Sequence, residues 1–155
     1  MNRLFSLFLA LVLVGPMGCA RPQVAPATAG GVGPPGSAAL TYLALGDSYT
    51  VGEGAAATDR WLAQLAGLLT AQGEAVAAPD YIARTGWTTA ELQTAIGIAQ
   101  PAATYSLVSL LIGVNNQYRS QSLAQYWPEF RALLRQAIGF AGGRSAHVIV
   151  LSTPD

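Results

Sequence analysis

Charge is scarce in this sequence. Only 10% of the 155 residues are charged, and acids and bases cancel to a formal net charge of zero. A nucleic-acid-binding domain needs a basic patch or stripe on one face, and this composition does not supply one. Cysteine occurs once, at Cys19, and histidine once, at His147. A lone cysteine excludes an internal disulfide, so the fold must hold without one. No His/Cys cluster exists that would bind structural or catalytic zinc. No apolar run reaches the roughly 20 residues of a membrane-spanning helix, and no internal repeat is visible. What remains is hydrophobic: 52% of the chain, enough to build a core rather than a disordered polymer. The length fits one domain.

Part of that apolar content lies at the start. Arg3 is followed by an apolar run over residues 4–14, broken by Ser6, and then by Gly15, Pro16, Met17, Gly18 and Cys19. A positive start, a short apolar stretch and small residues describe a secretory signal peptide. Cys19 resembles the cysteine of the bacterial lipobox, which implies lipid modification and attachment to the cell envelope. Several acyl chains would hold such a protein firmly on a membrane. Gly18 fits the lipobox, whereas Pro16 stands where leucine is usual. Ordinary cleavage near Gly18 or Ala20, giving a secreted product, is the alternative. Residues 20–38, ARPQVAPATAGGVGPPGSA, have no hydrophobic period and read as a flexible tether. The folded domain is expected over residues 39–155.

Within it, strand and helix patterns alternate. Residues 41–45 form a short apolar run stopped by Gly46, the pattern of a buried strand. Asp59 is expected to cap a helix carrying Trp61, Leu62, Leu65, Leu68 and Leu69, ended by Gly73. Residues 75–83 give a weaker strand, interrupted by Pro79. Thr88 and Glu91 form a capping-box pair opening a second helix. Residues 107–112 are the strongest strand. Ser122 and Gln125 suggest another capping box, followed by a 3.6-residue period from Leu123 to Ala141. Pro128 implies either a kink or a helix start at Pro128 itself. Residues 147–152 complete a fourth strand.

Continuous apolar strands alternating with helices imply an α/β fold: a flavodoxin-like three-layer sandwich with a parallel sheet covered on both faces. The expected strand order is 2-1-3-4. Right-handed crossovers bring every strand's carboxyl end to one edge, where ligands bind. Three glycine-rich loops follow the first three strands: Gly46 to Gly54, Arg84 to Thr88, and Gly113 to Gln117. A serine on the tight turn after the first strand, Ser48, can present its hydroxyl to the crevice. Acyl transfer needs that nucleophile and donors aimed at the tetrahedral oxyanion. The Ser48 N–H, the Gly86 N–H and the Asn115 side-chain amide supply three candidates; Gly86 allows close backbone approach, and Asn115 donates without carrying charge.

The motifs GDSYTVGEG, ARTGWTT and GVNN resemble, in order, the first three blocks of the SGNH (GDSL-type) hydrolases. The resemblance extends over residues 42–155. It implies an esterase acting on carboxylic or acetyl esters, with a small-molecule, glycan or lipid substrate and no metal or organic cofactor. It maps the nucleophile to Ser48 and the oxyanion hole to Gly86 and Asn115. Asn116 departs from the aspartate frequent in the family. The family's fourth block, Asp-x-x-His, supplies the base and its partner, and no such sequence occurs here.

His147 is a poor substitute. It opens the fourth strand, about 13 Å from Leu151 at roughly 3.3 Å per residue, and is expected at the bottom of the sheet. Asp155 follows a strand end, but a carboxylate takes a proton poorly at neutral pH unless its pKa is raised. Asp47 is expected to hold its turn by local hydrogen bonds, Glu53 to be a solvated loop residue, and Tyr49, Trp87 and Tyr118 to line a pocket or pack. On this reading the domain is carboxyl-terminally incomplete, lacking a fifth strand and last helix. Its fourth strand would then be an exposed apolar edge, and the chain alone would be poorly soluble and inactive. Two alternatives stand beside the esterase: a non-catalytic truncated lipoprotein, and a flavodoxin-like module binding a small ligand. For the latter, Gly46, Gly52 and Gly54 lack the G-x-G-x-x-G spacing.

Overall fold

The computed structural model describes residues 38–101 and 104–153. The signal segment, the tether, Cys19 and Asp155 lie outside the described residues. Four strands form one parallel sheet in the order β2-β1-β3-β4: β1 is Tyr42–Gly46, β2 Asp80–Ala83, β3 Leu107–Leu111 and β4 Val148–Val150. The helices are α1 (Ser48–Val51), α2 (Trp61–Ala71), α3 (Thr89–Ala99), α4 (Val114–Tyr118) and α5 (Leu123–Phe140).

Topology distributes the helices. The connection from β1 to β2 runs one way along the sheet, and those from β2 to β3 and from β3 to β4 run the other way. Right-handed crossovers therefore put α2 on one face and α3 with α5 on the other. The alternation of β1 feeds both layers. Leu43 and Leu45 point into the larger core with Leu92, Ile96, Val108, Leu110 and Leu133. Tyr42 and Ala44 meet Leu62, Trp61 and Leu65 of α2 on the opposite face. All five β1 residues are buried, as a continuous apolar central strand requires. At the amino edge, Thr41 and Ser106 lock the entries of β1 and β3: Thr41 N–H donates to Ser106 Oγ at 3.2 Å, and Ser106 N–H returns a bond to Thr41 Oγ1 at 3.1 Å.

Several sequence expectations change in detail. Asp59 does not cap α2; it ends a 3-10 turn, Ala57–Asp59, and Arg60 occupies the cap position with no side-chain bond. The Asp59 carboxylate instead accepts from the Thr58 hydroxyl, and its backbone carbonyl accepts from Gln64 Nε2 at 2.7 Å. The second strand shrinks to four residues, because Pro79 separates it from an isolated bridge between Leu40 and Val76. The Thr88–Glu91 capping box forms in full on α3. Only half of the Ser122–Gln125 box forms: Ser122 Oγ accepts from Gln125 N–H, while the Gln125 amide reaches forward to Glu129. Helix α5 runs through Pro128 without interruption. The fourth strand is three residues long, and His147 ends a 3-10 turn before it. Ile149 and Val150 of this edge strand are 43% and 49% exposed.

Candidate active site

The three loops expected to converge do so. Gly46 closes β1 where no side chain fits: a Cβ there would lie 2.1 Å from Thr50 Oγ1 and 2.3 Å from the Leu111 carbonyl. The chain then turns at Asp47, which caps α1 by accepting from Tyr49 N–H at 3.0 Å. This is the local role expected of it. Ser48 is the first residue of α1 and is half-buried. Its carbonyl accepts from Gly52 and Glu53 N–H. A first-turn N–H has no intrahelical partner, and neither it nor the Ser48 hydroxyl has one elsewhere among the described residues.

The second loop is a four-residue turn closed by Trp87 N–H donating to Arg84 O at 3.2 Å. Gly86 holds its third position at φ +84°. A left-handed third residue is the requirement of a type II turn, and that turn type fixes which way the Thr85–Gly86 peptide, and so the Gly86 N–H, points. The third loop starts at Gly113 (φ 136°), against which the Tyr126 ring packs; a Cβ would come within 3.0 Å of that ring. Helix α4 follows and carries Asn115.

Asn115 joins the other two loops. Its Nδ2 donates to Trp87 O at 2.9 Å and to Asp47 Oδ2 at 3.4 Å. The residue after Gly86 and the residue before Ser48 are thus held by one side chain. Asp47 is fully buried. Burial pushes its pKa up, and the bond from Tyr49 N–H opposes that shift.

Asn116, the departure from the family pattern, faces elsewhere and is 2% exposed. Its Oδ1 accepts from Thr89 N–H at 3.1 Å, one of the orphan donors at the start of α3. Its Nδ2 donates to Thr89 Oγ1 at 2.6 Å and Gln121 Oε1 at 2.7 Å. The Thr89 hydroxyl in turn bonds the Glu129 carboxylate. This network ties α3, α4 and α5 together. Nothing in the local sequence signals its link to α3, because Thr89 lies 27 residues from Asn116.

Ser48 opens on a depression of about 420 Å³ lined also by Tyr49, Gly52, Glu53 and Thr85. Glu53 is an exposed loop residue, as expected, and its carboxylate accepts from the Thr85 hydroxyl. A larger groove, about 870 Å³, lies along α4, the start of α5 and the end of β4, and does not include Ser48. Of the aromatic candidates, Tyr49 lines the smaller depression, Trp87 packs against the main core, and Tyr118 is 88% exposed. His147 sits at the amino edge, its Nδ1 2.8 Å from Ser106 O, at the far end of the strands from Ser48. Among the described residues no three His, Cys, Asp or Glu side chains cluster as a metal site. No described helix is long and apolar enough to cross a membrane.

The described residues thus form a parallel α/β sandwich with a serine turn at the carboxyl end of β1, one of its two inner strands. The chain belongs to the GDSL-like lipase/acylhydrolase family, whose model matches residues 44–154. Among solved structures it resembles AlinE4, described as an SGNH-hydrolase family esterase, with a TM-score of 0.61 at 21% identity over 74% of this chain and 59% of that one. TesA gives 0.57 at 22% identity, over 73% and 60%. The psychrotrophic esterase EstA from Pseudoalteromonas sp. gives 0.53 at 17%, over 74% and 62%. These identities establish the shared fold. The chain spans about 60% of the length of the first two. Comparison with curated proteins finds no match.

Proposed function

We propose that this chain carries the nucleophile and oxyanion site of an exported SGNH-type serine esterase. The observation that carries the reading is the position of Ser48, with N–H and hydroxyl both unpartnered among the described residues, in a site where Asn115 bridges its turn to that of Gly86. Ser48 Oγ attacks the ester carbonyl. The Ser48 N–H, the Gly86 N–H and the Asn115 amide receive the developing oxyanion. The alcohol leaves, and water releases the acyl group from Ser48.

Both Asn115 Nδ2 hydrogens are already in use. The 3.4 Å bond to Asp47 is the weaker, so it is the one exchanged for a bond to the oxyanion. The 2.9 Å bond to Trp87 O holds the amide in place meanwhile.

Proton removal from Ser48 needs a base, and the one imidazole of the chain lies at the opposite edge of the sheet. Loss of the histidine in a comparable triad costs on the order of a millionfold in turnover. The substrate class is a carboxylic or acetyl ester on a small molecule, glycan or lipid. Export by residues 1–19, with lipid attachment at Cys19, belongs to the same proposal.

The test is hydrolysis of p-nitrophenyl acetate by the chain and by Ser48→Ala, each with and without imidazole as a diffusible base. A Ser48-dependent rate that rises with imidazole is expected. Equal rates for folded wild type and variant under both conditions would remove Ser48 as nucleophile. Tight retention of a flavin or nucleotide would favour a binding module instead.

A further inference from the structure

Helix α4 touches the Gly86 turn twice. Asn115 bonds Trp87 O. One helical turn later, Arg119 caps α4, its N–H donating to Asn115 O at 3.0 Å. Its guanidinium crosses back to the same turn, and Nη2 donates to Gly86 O at 2.5 Å. Two consecutive carbonyls, of Gly86 and Trp87, are therefore gripped by side chains four residues apart on one helix. Arg119 is anchored in turn: Nη1 lies 3.3 Å from the Glu91 carboxylate. Glu91 is itself fixed by accepting from Thr88 N–H at 2.8 Å in the α3 capping box. The planar fork of arginine suits this double engagement, which a lysine point charge matches only in part.

We infer that Arg119 is a positioning residue for the Gly86 oxyanion donor, an inference that rests on the esterase reading above. Glycine at the third position of a turn is the residue least able to hold one conformation by itself. Flipping the Thr85–Gly86 peptide would convert the turn to type I and reverse the Gly86 N–H. The Arg84 O to Trp87 N–H bond closes either turn type, so it does not choose between them. The Gly86 carbonyl belongs to the same peptide as the Trp87 N–H; what Arg119 fixes is the position of that peptide, and with it the Gly86 Cα that carries the donor. Because α4 carries both Arg119 and Asn115, the clamp also sets the spacing between two proposed oxyanion donors. Arg119 touches no reacting atom.

The experiment compares wild type, Arg119→Met, Arg119→Lys and Ser48→Ala in the full chain. Two readouts are used: hydrogen exchange of the Trp87 amide by NMR, and imidazole-supported hydrolysis of p-nitrophenyl acetate. Arg119→Met is expected to speed Trp87 exchange while Leu110 in the core keeps its protection. It should also lower the Ser48-dependent kcat on the order of tenfold to a hundredfold, the scale of a small misplacement at a reacting centre. KM should change by less than about twofold, since only transition-state interactions are lost. Arg119→Lys, which keeps one donor for Gly86 O, should recover most of the loss. Unchanged Trp87 exchange overturns the inference, as does faster exchange with kcat intact or with KM carrying the effect. Should Arg119→Met fail to fold, Arg119→Gln takes its place with the same expectations. No Ser48-dependent rate in folded wild type would instead bring down the serine reading. Arg119 would then be a turn clamp with no oxyanion to serve.

Discussion

The Asn115 side chain donates to the buried carboxylate of Asp47, the residue immediately before Ser48, across 3.4 Å. Asp47 has no solvent to satisfy it, so Asn115 serves the resting structure as well as any oxyanion. Asn115→Ala is expected to lower imidazole-supported, Ser48-dependent hydrolysis on the order of a hundredfold or more, the usual cost of one oxyanion donor. It should also cost about 1–3 kcal/mol of stability, by leaving Asp47 and Trp87 O short of a partner. Urea unfolding alongside the assay separates the two effects.

Gly46 and Gly86 are required for different reasons, and alanine distinguishes them. At Gly46 the obstacle is space: the Leu111 carbonyl is backbone and cannot move aside. Gly46→Ala should cost about 1–3 kcal/mol or more, and adding Thr50→Ala should restore only part of it. At Gly86 space is open, with Arg119 Nη2 the nearest atom at 3.8 Å, but φ is +84°. Gly86→Ala should cost about 1 kcal/mol and act mainly on turnover, by favouring the turn type that reverses the N–H. Thermal melts and kcat for both variants check this ordering.

Asn116→Leu should destabilise the chain by about 1–3 kcal/mol, since Thr89 N–H and Gln121 lose buried partners. Asn116→Asp keeps the acceptor for Thr89 N–H and should cost less. Chemical denaturation of the two variants gives the comparison. An equal cost for both would mean that the donors of Asn116 matter more than its acceptor.

Glu91 makes the fold acid-sensitive. The Thr88 N–H, opposed by burial and then aided by the Thr88 hydroxyl and Arg119, holds its carboxyl below the usual range. The folded state thus prefers the ionised form. The stability this contributes is present above the unfolded value of about 4.3 and is lost as pH falls through the lower folded value. Asp47 has the opposite sign. Its raised pKa favours the protonated acid, so its contribution is full below about 3.9 and declines as pH rises through the folded value. Urea midpoints from pH 6 down to pH 3 should fall less steeply for Glu91→Gln than for wild type. The pH dependence of Asp47→Asn should diverge in the other direction.

Sequence made some of this legible and not the rest, for physical reasons. The apolar runs of β1 and β3 were readable because burial on both faces leaves a continuous hydrophobic string. The strand order was that of the flavodoxin-like fold the alternation suggested, and the convergence of Ser48, Gly86 and Asn115 followed from right-handed crossovers between parallel strands. The Thr88–Glu91 box was readable because both partners sit within one helical turn. Asp59 misled because the chain inserts a 3-10 turn and hands the cap position to Arg60. Arg119 and Asn116 were invisible as organisers because the bonds that join them to α3 and the Gly86 turn span 27 to 33 residues and no short-range period encodes such pairs.

The place of β1 in the sheet also bears on how the chain is made. β1 is synthesised first among the strands and is apolar throughout, yet it lies between β2 and β3. Its last residue, Gly46, pairs with Leu111, which leaves the ribosome 65 residues later. At roughly 5–20 residues per second that is a wait of roughly 3–13 s. During that interval YLALG is a sticky, half-paired segment in the nascent polypeptide. A chaperone would meet this strand before any other strand of the domain.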